Sequence, residues 1–224
     1  KEYYKKLKYD VVYVGHPLLD VLKQNGKENS SREKLIALLP GSRDQEINKI
    51  LPVMLGVTKY FKNYQFTICA APSKNKLFYE KFMQRGDYKN VDIVTDQTYN
   101  ILGRSSAALV TSGTATLEAA LIKTPQIVCY KSSWISIIVG KFLLRNLKFI
   151  SLVNLILDKM AVKELIQDDL NTKNMIEELE IILSKDGKDK LIGYYNELES
   201  LLNKKGASRE TAKKIINYHL DPNS

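Results

Sequence analysis

Two short loops in this chain carry residue types suited to holding an anion. Pro40-Gly41-Ser42-Arg43 follows the apolar run Leu35–Leu39, and Thr111-Ser112-Gly113-Thr114 follows the apolar run Ala108–Val110. In the second loop, small residues let the first N–H groups of the helix that follows approach a ligand closely. The helix dipole favours negative charge at the same place. In the first loop, Arg43 supplies a planar cation able to grip phosphate oxygens through two parallel hydrogen bonds. Either tetrapeptide alone reads equally well as a simple turn; together they point to phosphate. Glu118, four residues after Thr114, has two readings that the sequence leaves open: a carboxylate that accepts from a ribose diol, or an acidic side chain placed favourably beside a helix dipole.

Other chemistries find little support. The chain has neither G-x-x-x-x-G-K-[ST] nor G-x-G-x-x-G, so the commoner nucleotide fingerprints are missing. His16 and His219 are its only histidines, and Cys69 and Cys129 both lie in apolar runs that read as reduced, buried strand residues. No metal-ligand cluster results, and no metal is expected. His16, in Gly15-His16-Pro17, reads either as a satisfied loop histidine or as a cleft residue, and no general base can be named.

The elements that would position these loops alternate from Leu35 onward. Strands are expected at Leu35–Leu39, Gln65–Cys69, Val91–Thr95, Ala108–Val110, Ile127–Tyr130 and Phe149–Leu152. Between them lie helices at Asp44–Phe61 (kinked or restarted at Pro52), Lys74–Gln84, Thr98–Arg104, the segment after Thr114, and Ile135–Leu147. Helices at Ala161–Ile166, Lys173–Leu183, Lys190–Leu202 and Ser208–His219 complete the chain. This predicts an α/β fold: a doubly wound, Rossmann-like parallel sheet of about six strands with a helical C-terminus. In such a sheet both anion loops sit at the carboxyl ends of strands, where ligands bind. A further strand is expected at Tyr9–Val14, ending at Pro17. The polar stretch Lys23–Lys34 reads as a linker, dividing residues 1–34 from a domain of 35–224.

A net charge of +9 calls for a polyanionic partner or a solvated basic surface. Trp134–Leu147 mixes apolar and basic residues, as a core helix or a segment touching an anionic bilayer would. Trp134–Leu157 is interrupted by Lys141, Arg145 and Lys148 and is not read as a membrane span. Lys1–Tyr9 lacks the apolar centre of a signal peptide.

Taken in order, Val14-Gly15-His16-Pro17-Leu18, Leu38-Leu39-Pro40-Gly41-Ser42-Arg43 with Glu46, Ser112-Gly113-Thr114-Ala115-Thr116-Leu117-Glu118, Tyr130-Lys131, Ile150-Ser151-Leu152 with Asn154-Leu155, and Glu164-Leu165 with Gln167 resemble the lipid-A-disaccharide synthases. These are inverting glycosyltransferases of the GT-B fold. Val153 departs from the family pattern, which has Pro there. The resemblance implies the nucleotide-sugar half of a GT-B enzyme, beginning at the last helix and strand of an acceptor-side domain that carries the catalytic base. It implies transfer of diacylglucosamine from UDP-2,3-diacylglucosamine to 2,3-diacylglucosamine 1-phosphate, without a metal or a cofactor.

By the same resemblance, Gly41, Ser42, Arg43 and Ser112–Thr114 would hold the diphosphate and Glu118 the ribose. Tyr130, Asn154, Glu164 and Gln167 would complete the nucleotide-sugar site. A cytoplasmic location at the inner membrane, an anionic membrane surface as partner, no nucleic acid, and room for a homodimer follow as expectations. Two other readings remain open: another transferase or epimerase acting on UDP-N-acetylglucosamine, and a non-catalytic UDP-binding module.

Overall fold

The computed structural model describes residues 2–25, 32–131, 148–202 and 206–220. Six strands form one all-parallel sheet: β1 (Glu33–Leu39), β2 (Gln65–Cys69), β3 (Val91–Val94), β4 (Ser105–Thr111), β5 (Gln126–Tyr130) and β6 (Lys163–Ile166), in the order β3-β2-β1-β4-β5-β6. The order reverses between β1 and β4, which pair with Leu38 opposite Leu109 and Leu39 opposite Val110. All seven residues of β4 are buried. A parallel strand covered on both faces must be apolar or small throughout, which is why Ala107–Val110 reads as an unbroken run.

Alternation divides the strand residues between the two faces. Leu35, Ala37, Leu39, Ala108 and Val110 join Ile101, Leu102 and Ala119 in one core cluster. It is covered by helices α5 (Thr98–Arg104) and α6 (Thr114–Leu121). Helix α3 (Asp44–Gly56) packs with helix α8 (Thr172–Leu183), which also meets β4 and β5. Helix α4 (Lys76–Met83) precedes β3, and α7 (Leu152–Leu157) packs on α6.

At the amino end of the sheet, the Arg32 guanidinium donates to the carbonyls of Leu102 at 2.6 Å, Ile122 at 2.7 Å and Ser105 at 3.2 Å, and to Thr124 Oγ1 at 3.1 Å. A single cation thus satisfies the carboxyl ends of α5 and α6 together. Arg104 at the end of α5 also grips Glu33 at the start of β1 through two bonds of 2.7 and 2.8 Å. Cys69 and Cys129 are free and buried; burial pushes the Cys69 thiol up to about 12 and raises Cys129 as well.

Four sequence expectations are corrected. The sixth strand is Lys163–Ile166, pairing Ile127 with Lys163 and Tyr130 with Ile166, and the segment expected as a helix at Ala161–Ile166 supplies it. Phe149–Leu152 is not a strand: Ser151 caps α7, its Oγ accepting from Asn154 N–H at 3.3 Å. Tyr9–Val14 has no strand pairing. Helix α3 continues through Pro52 and ends at Gly56, short of Phe61; Pro52 and Asn48, four residues back, are both exposed, so the carbonyl that loses its donor can be met by water. The helix expected at Ile135–Leu147 lies outside the described residues.

The chain forms two compact units, Lys1–Asn25 with Glu199–Ser224, and Gly26–Leu198. The second holds the sheet. In the first, helices α1 (Glu2–Lys6), α2 (Pro17–Asn25) and α10 (Ala207–Leu220) occur with the end of α9 (Lys185–Leu202). Asp20 of α2 accepts from Gly206 N–H at 2.8 Å and Ser208 N–H at 3.3 Å, capping the start of α10. Among the described residues no helix is long and apolar enough to cross a membrane.

Candidate functional site

The two anion loops meet where the strand order reverses. A crevice of about 280 Å³ opens at the carboxyl ends of β1, β4 and β2, and Gly41, Ser42, Ser112, Gly113, Thr114 and Glu118 all line it. This is the ligand-binding position of an open doubly wound sheet.

Each loop takes its shape from a glycine. Gly41 has φ +100°, a left-handed conformation that side chains rarely adopt, and a Cβ there would lie 2.9 Å from Glu46 Oε2. Gly113 has φ +150° and caps α6 with no side-chain hydrogen bond. The amides of Thr114 and Ala115 therefore have no intrahelical acceptor and remain for a ligand at the crevice. Ser112 is tied back: its N–H donates to Cys129 O at 3.3 Å and its hydroxyl to Ile150 O at 2.9 Å. It shapes the turn, and the amides left without an intrahelical acceptor belong to the helix that follows.

Arg43 stands beside the crevice without lining it. Its side chain is 82 % exposed and its Nη1 lies 3.0 Å from Glu46 Oε1. Exposed pairs of this kind contribute about 0–1 kcal/mol, so the guanidinium is free to exchange partners. Glu118 is half-buried on the second turn of α6 and accepts from the Tyr99 hydroxyl at 3.3 Å. Burial raises the pKa of its carboxyl group, while the Tyr99 hydrogen bond lowers it.

The four remaining candidates do not line this crevice. Tyr130 closes β5 and Gln167 follows β6, at the same end of the sheet. Gln167 has φ +55°, and its Nε2 is buried without a partner. Glu164 holds the loop before α7, accepting from Ile150 N–H at 3.0 Å, Ser151 N–H at 2.9 Å, Ser151 Oγ at 2.8 Å and Asn154 Nδ2 at 2.8 Å. Asn154 is fully buried: its Oδ1 accepts from Ala161 and Val162 N–H at 2.8 and 2.9 Å, and its Nδ2 also donates to Val162 O at 2.8 Å. This network sets Ile150, whose carbonyl receives the Ser112 hydroxyl. Outside the crevice, in the other compact unit, His16 Nδ1 accepts from Leu18 N–H at 3.3 Å at the start of α2, as a loop histidine would.

Several lining features were not anticipated from the sequence. Thr111 Oγ1 is buried without a partner, Glu46 reaches under Gly41, and Cys69–Pro72 with Thr98 form a further wall. Glu46 stood in a quoted motif, but nothing in the local sequence marks Tyr99 as the partner of Glu118. No group of three or more His, Cys, Asp or Glu able to hold a metal occurs among the described residues.

Comparison with known proteins identifies the family. The family model described as lipid-A-disaccharide synthetase matches residues 1–216. The chain belongs to that family. A lipid-A-disaccharide synthase from Syntrophus aciditrophicus (strain SB) is 35 % identical over 215 residues, covering 91 % of this chain and 55 % of that protein. One from Francisella tularensis subsp. novicida (strain U112) is 34 % identical over 193 residues, covering 80 % and 50 %. The chain thus spans about half the length of the synthases it matches.

In fold, this synthase-family chain is similar to an S. aureus MnaA–UDP co-structure, with TM-score 0.61, 16 % identity and 97 % of this chain and 57 % of that one covered. It is also similar to a UDP-GlcNAc 2-epimerase from Methanocaldococcus jannaschii in complex with UDP-GlcNAc and UDP, with TM-score 0.51, 14 % identity and 87 % and 57 % covered. The six-stranded parallel sheet with a helical C-terminus matches half of a GT-B enzyme.

Proposed function

We propose that this chain is the donor-nucleotide half of an inverting lipid A glycosyltransferase and that the switch-point crevice binds UDP-2,3-diacylglucosamine. The observation that carries this reading is the convergence, in one crevice, of the open amides of α6, the Gly41-Ser42 turn with Arg43 beside it, and the half-buried Glu118. Fixed N–H dipoles and a mobile guanidinium stabilise a leaving diphosphate as its charge grows, with no need for a metal. Glu118 then accepts from the ribose diol.

In the reaction an acceptor hydroxyl of 2,3-diacylglucosamine 1-phosphate attacks the anomeric carbon and the bond from that carbon to the diphosphate breaks. UDP leaves, and the hydroxyl proton passes to a base in the acceptor-side half. Gln167 and Tyr130, at the same end of the sheet, serve the sugar side. Asn154 and Glu164 serve the site through the loop that holds Ser112. The protein works in the cytoplasm against the anionic inner membrane, and it takes no cofactor.

The solved structures that hold UDP share this fold at 14 to 16 % identity. A UDP-N-acetylglucosamine enzyme is therefore the second reading. Incubating the whole protein with UDP-2,3-diacylglucosamine or UDP-N-acetylglucosamine and the acylated glucosamine 1-phosphate, with products followed by mass spectrometry, separates the two. A disaccharide 1-phosphate made only from the acylated donor supports the first; epimerisation or transfer from the simple sugar alone overturns it.

A further inference from the structure

The Glu118 carboxylate is held from another helix. Tyr99 lies on the first turn of α5, directly after Thr98, which lines the crevice. Its hydroxyl reaches across to Glu118 Oε1 on α6 at 3.3 Å. The two helices cannot drift apart easily: Ile101 and Leu102 of α5 share a buried cluster with Ala119 of α6, against which Ala115 and Ile122 also pack. Arg32 ties their carboxyl ends together from below. The phenol therefore sits on a rigid support and fixes one carboxylate oxygen.

We infer that Tyr99 is a positioning residue that holds the Glu118 carboxylate in the orientation that selects a ribose, and so makes the crevice prefer ribonucleotides to 2′-deoxyribonucleotides. The inference rests on the assignment of the crevice to a nucleoside diphosphate. Donation from Tyr99 occupies one lone pair of Oε1, and Glu118 lines the crevice, where a vicinal diol can meet the remaining lone pairs of its carboxylate. Burial and the neighbouring Glu118 keep the phenol protonated and hence a donor. Without it, a half-buried carboxylate is free to rotate away or to take up a proton, and the hydroxyl contact loses both strength and geometry. Thr98 and Tyr99 thus give α5 a role in the site as well as in the core.

The test is isothermal calorimetry of UDP and 2′-deoxy-UDP with the unaltered chain, Tyr99→Phe and Glu118→Gln, with thermal melts confirming that each variant is folded. A hydrogen bond to a charged group predicts a preference of about tenfold or more for UDP in the unaltered chain. Glu118→Gln should nearly erase that preference. Tyr99→Phe should cut it about threefold to tenfold while leaving 2′-deoxy-UDP affinity unchanged. Loss of affinity for both ligands alike in Tyr99→Phe, or no change for either, overturns the positioning role while the nucleotide site stands. Equal binding of the two ligands by the unaltered chain also overturns it. Failure of the unaltered chain to bind UDP at all overturns the assignment of the crevice itself.

Discussion

Arg43 Nη1 lies 3.0 Å from Glu46 Oε1 in the same loop and helix start that carry Gly41. Arg43 is thus engaged by a carboxylate in a pair worth about 0–1 kcal/mol. On the proposed reading, Glu46 would compete with a diphosphate for Arg43 and add negative charge beside it. Glu46→Gln should bind UDP about twofold to tenfold more tightly and change stability by less than about 0.5 kcal/mol, read by calorimetry and denaturant melts.

Glu118 couples stability to pH in a defined direction. Burial sets its folded pKa above the ordinary carboxylate value. Its contribution to stability is thus fully present below the unfolded value and lost as pH rises through the raised folded value. Glu118→Gln should accordingly melt higher than the unaltered chain at about pH 7.5 and show no such gain at about pH 4, although it binds UDP less well. Melts that differ equally at both pH values would contradict the assignment of burial as the cause.

Asn154 makes a different demand. Removing its side chain takes buried partners from the N–H and carbonyl of Val162 and one of two from Ala161 N–H, which also donates to Lys159 O at 2.9 Å. Asn154→Ala should cost roughly 2–4 kcal/mol of unfolding free energy. Because Ile150 and the Ser112 turn depend on this network, the folded variant should also bind UDP more weakly.

Both glycines should resist substitution. Gly41 has φ +100° and Gly113 has φ +150° with ψ −163°, conformations that side chains rarely adopt. A Cβ at Gly41 would also lie 2.9 Å from Glu46 Oε2, the end of a flexible side chain that can move aside, whereas at Gly113 it would meet nothing within 4 Å. Gly41→Ala and Gly113→Ala should therefore each lower stability by roughly 1–3 kcal/mol in urea unfolding.

Much of the sheet could be read from residue order, because parallel strands buried on both faces leave continuous apolar runs such as Ile36–Leu39 and Ala107–Val110. The pairing of the two anion loops followed from where such strands end. Lys163–Ile166 escaped notice because four residues with a charged pair look the same in a helix or an edge strand, and only pairing with Ile127–Tyr130 decides. Tyr9–Val14 has the strand composition and no partner strand. Pro52 reads in the sequence as a kink or restart of its helix; it lies inside α3, where packing of Ile47, Ile50, Leu51, Met54 and Leu55 carries the helix past the lost N–H. The ties of Ser112 to Ile150 and of Glu118 to Tyr99 are tertiary, so no local spacing announces them. In the same way, Asn154 and Glu164 stood in the recognised motifs, but nothing in those motifs says that their polar atoms are spent within the chain.

On the proposed reading, this crevice grips the diphosphate of a UDP-sugar through the amides of α6 with Arg43 beside them. Calorimetric titration of UDP into the unaltered chain and into Arg43→Ala is the decisive experiment. Saturable binding by the unaltered chain should weaken at least about tenfold on substitution, as expected for loss of a charge-assisted bond. Equal affinity in the two proteins would contradict it.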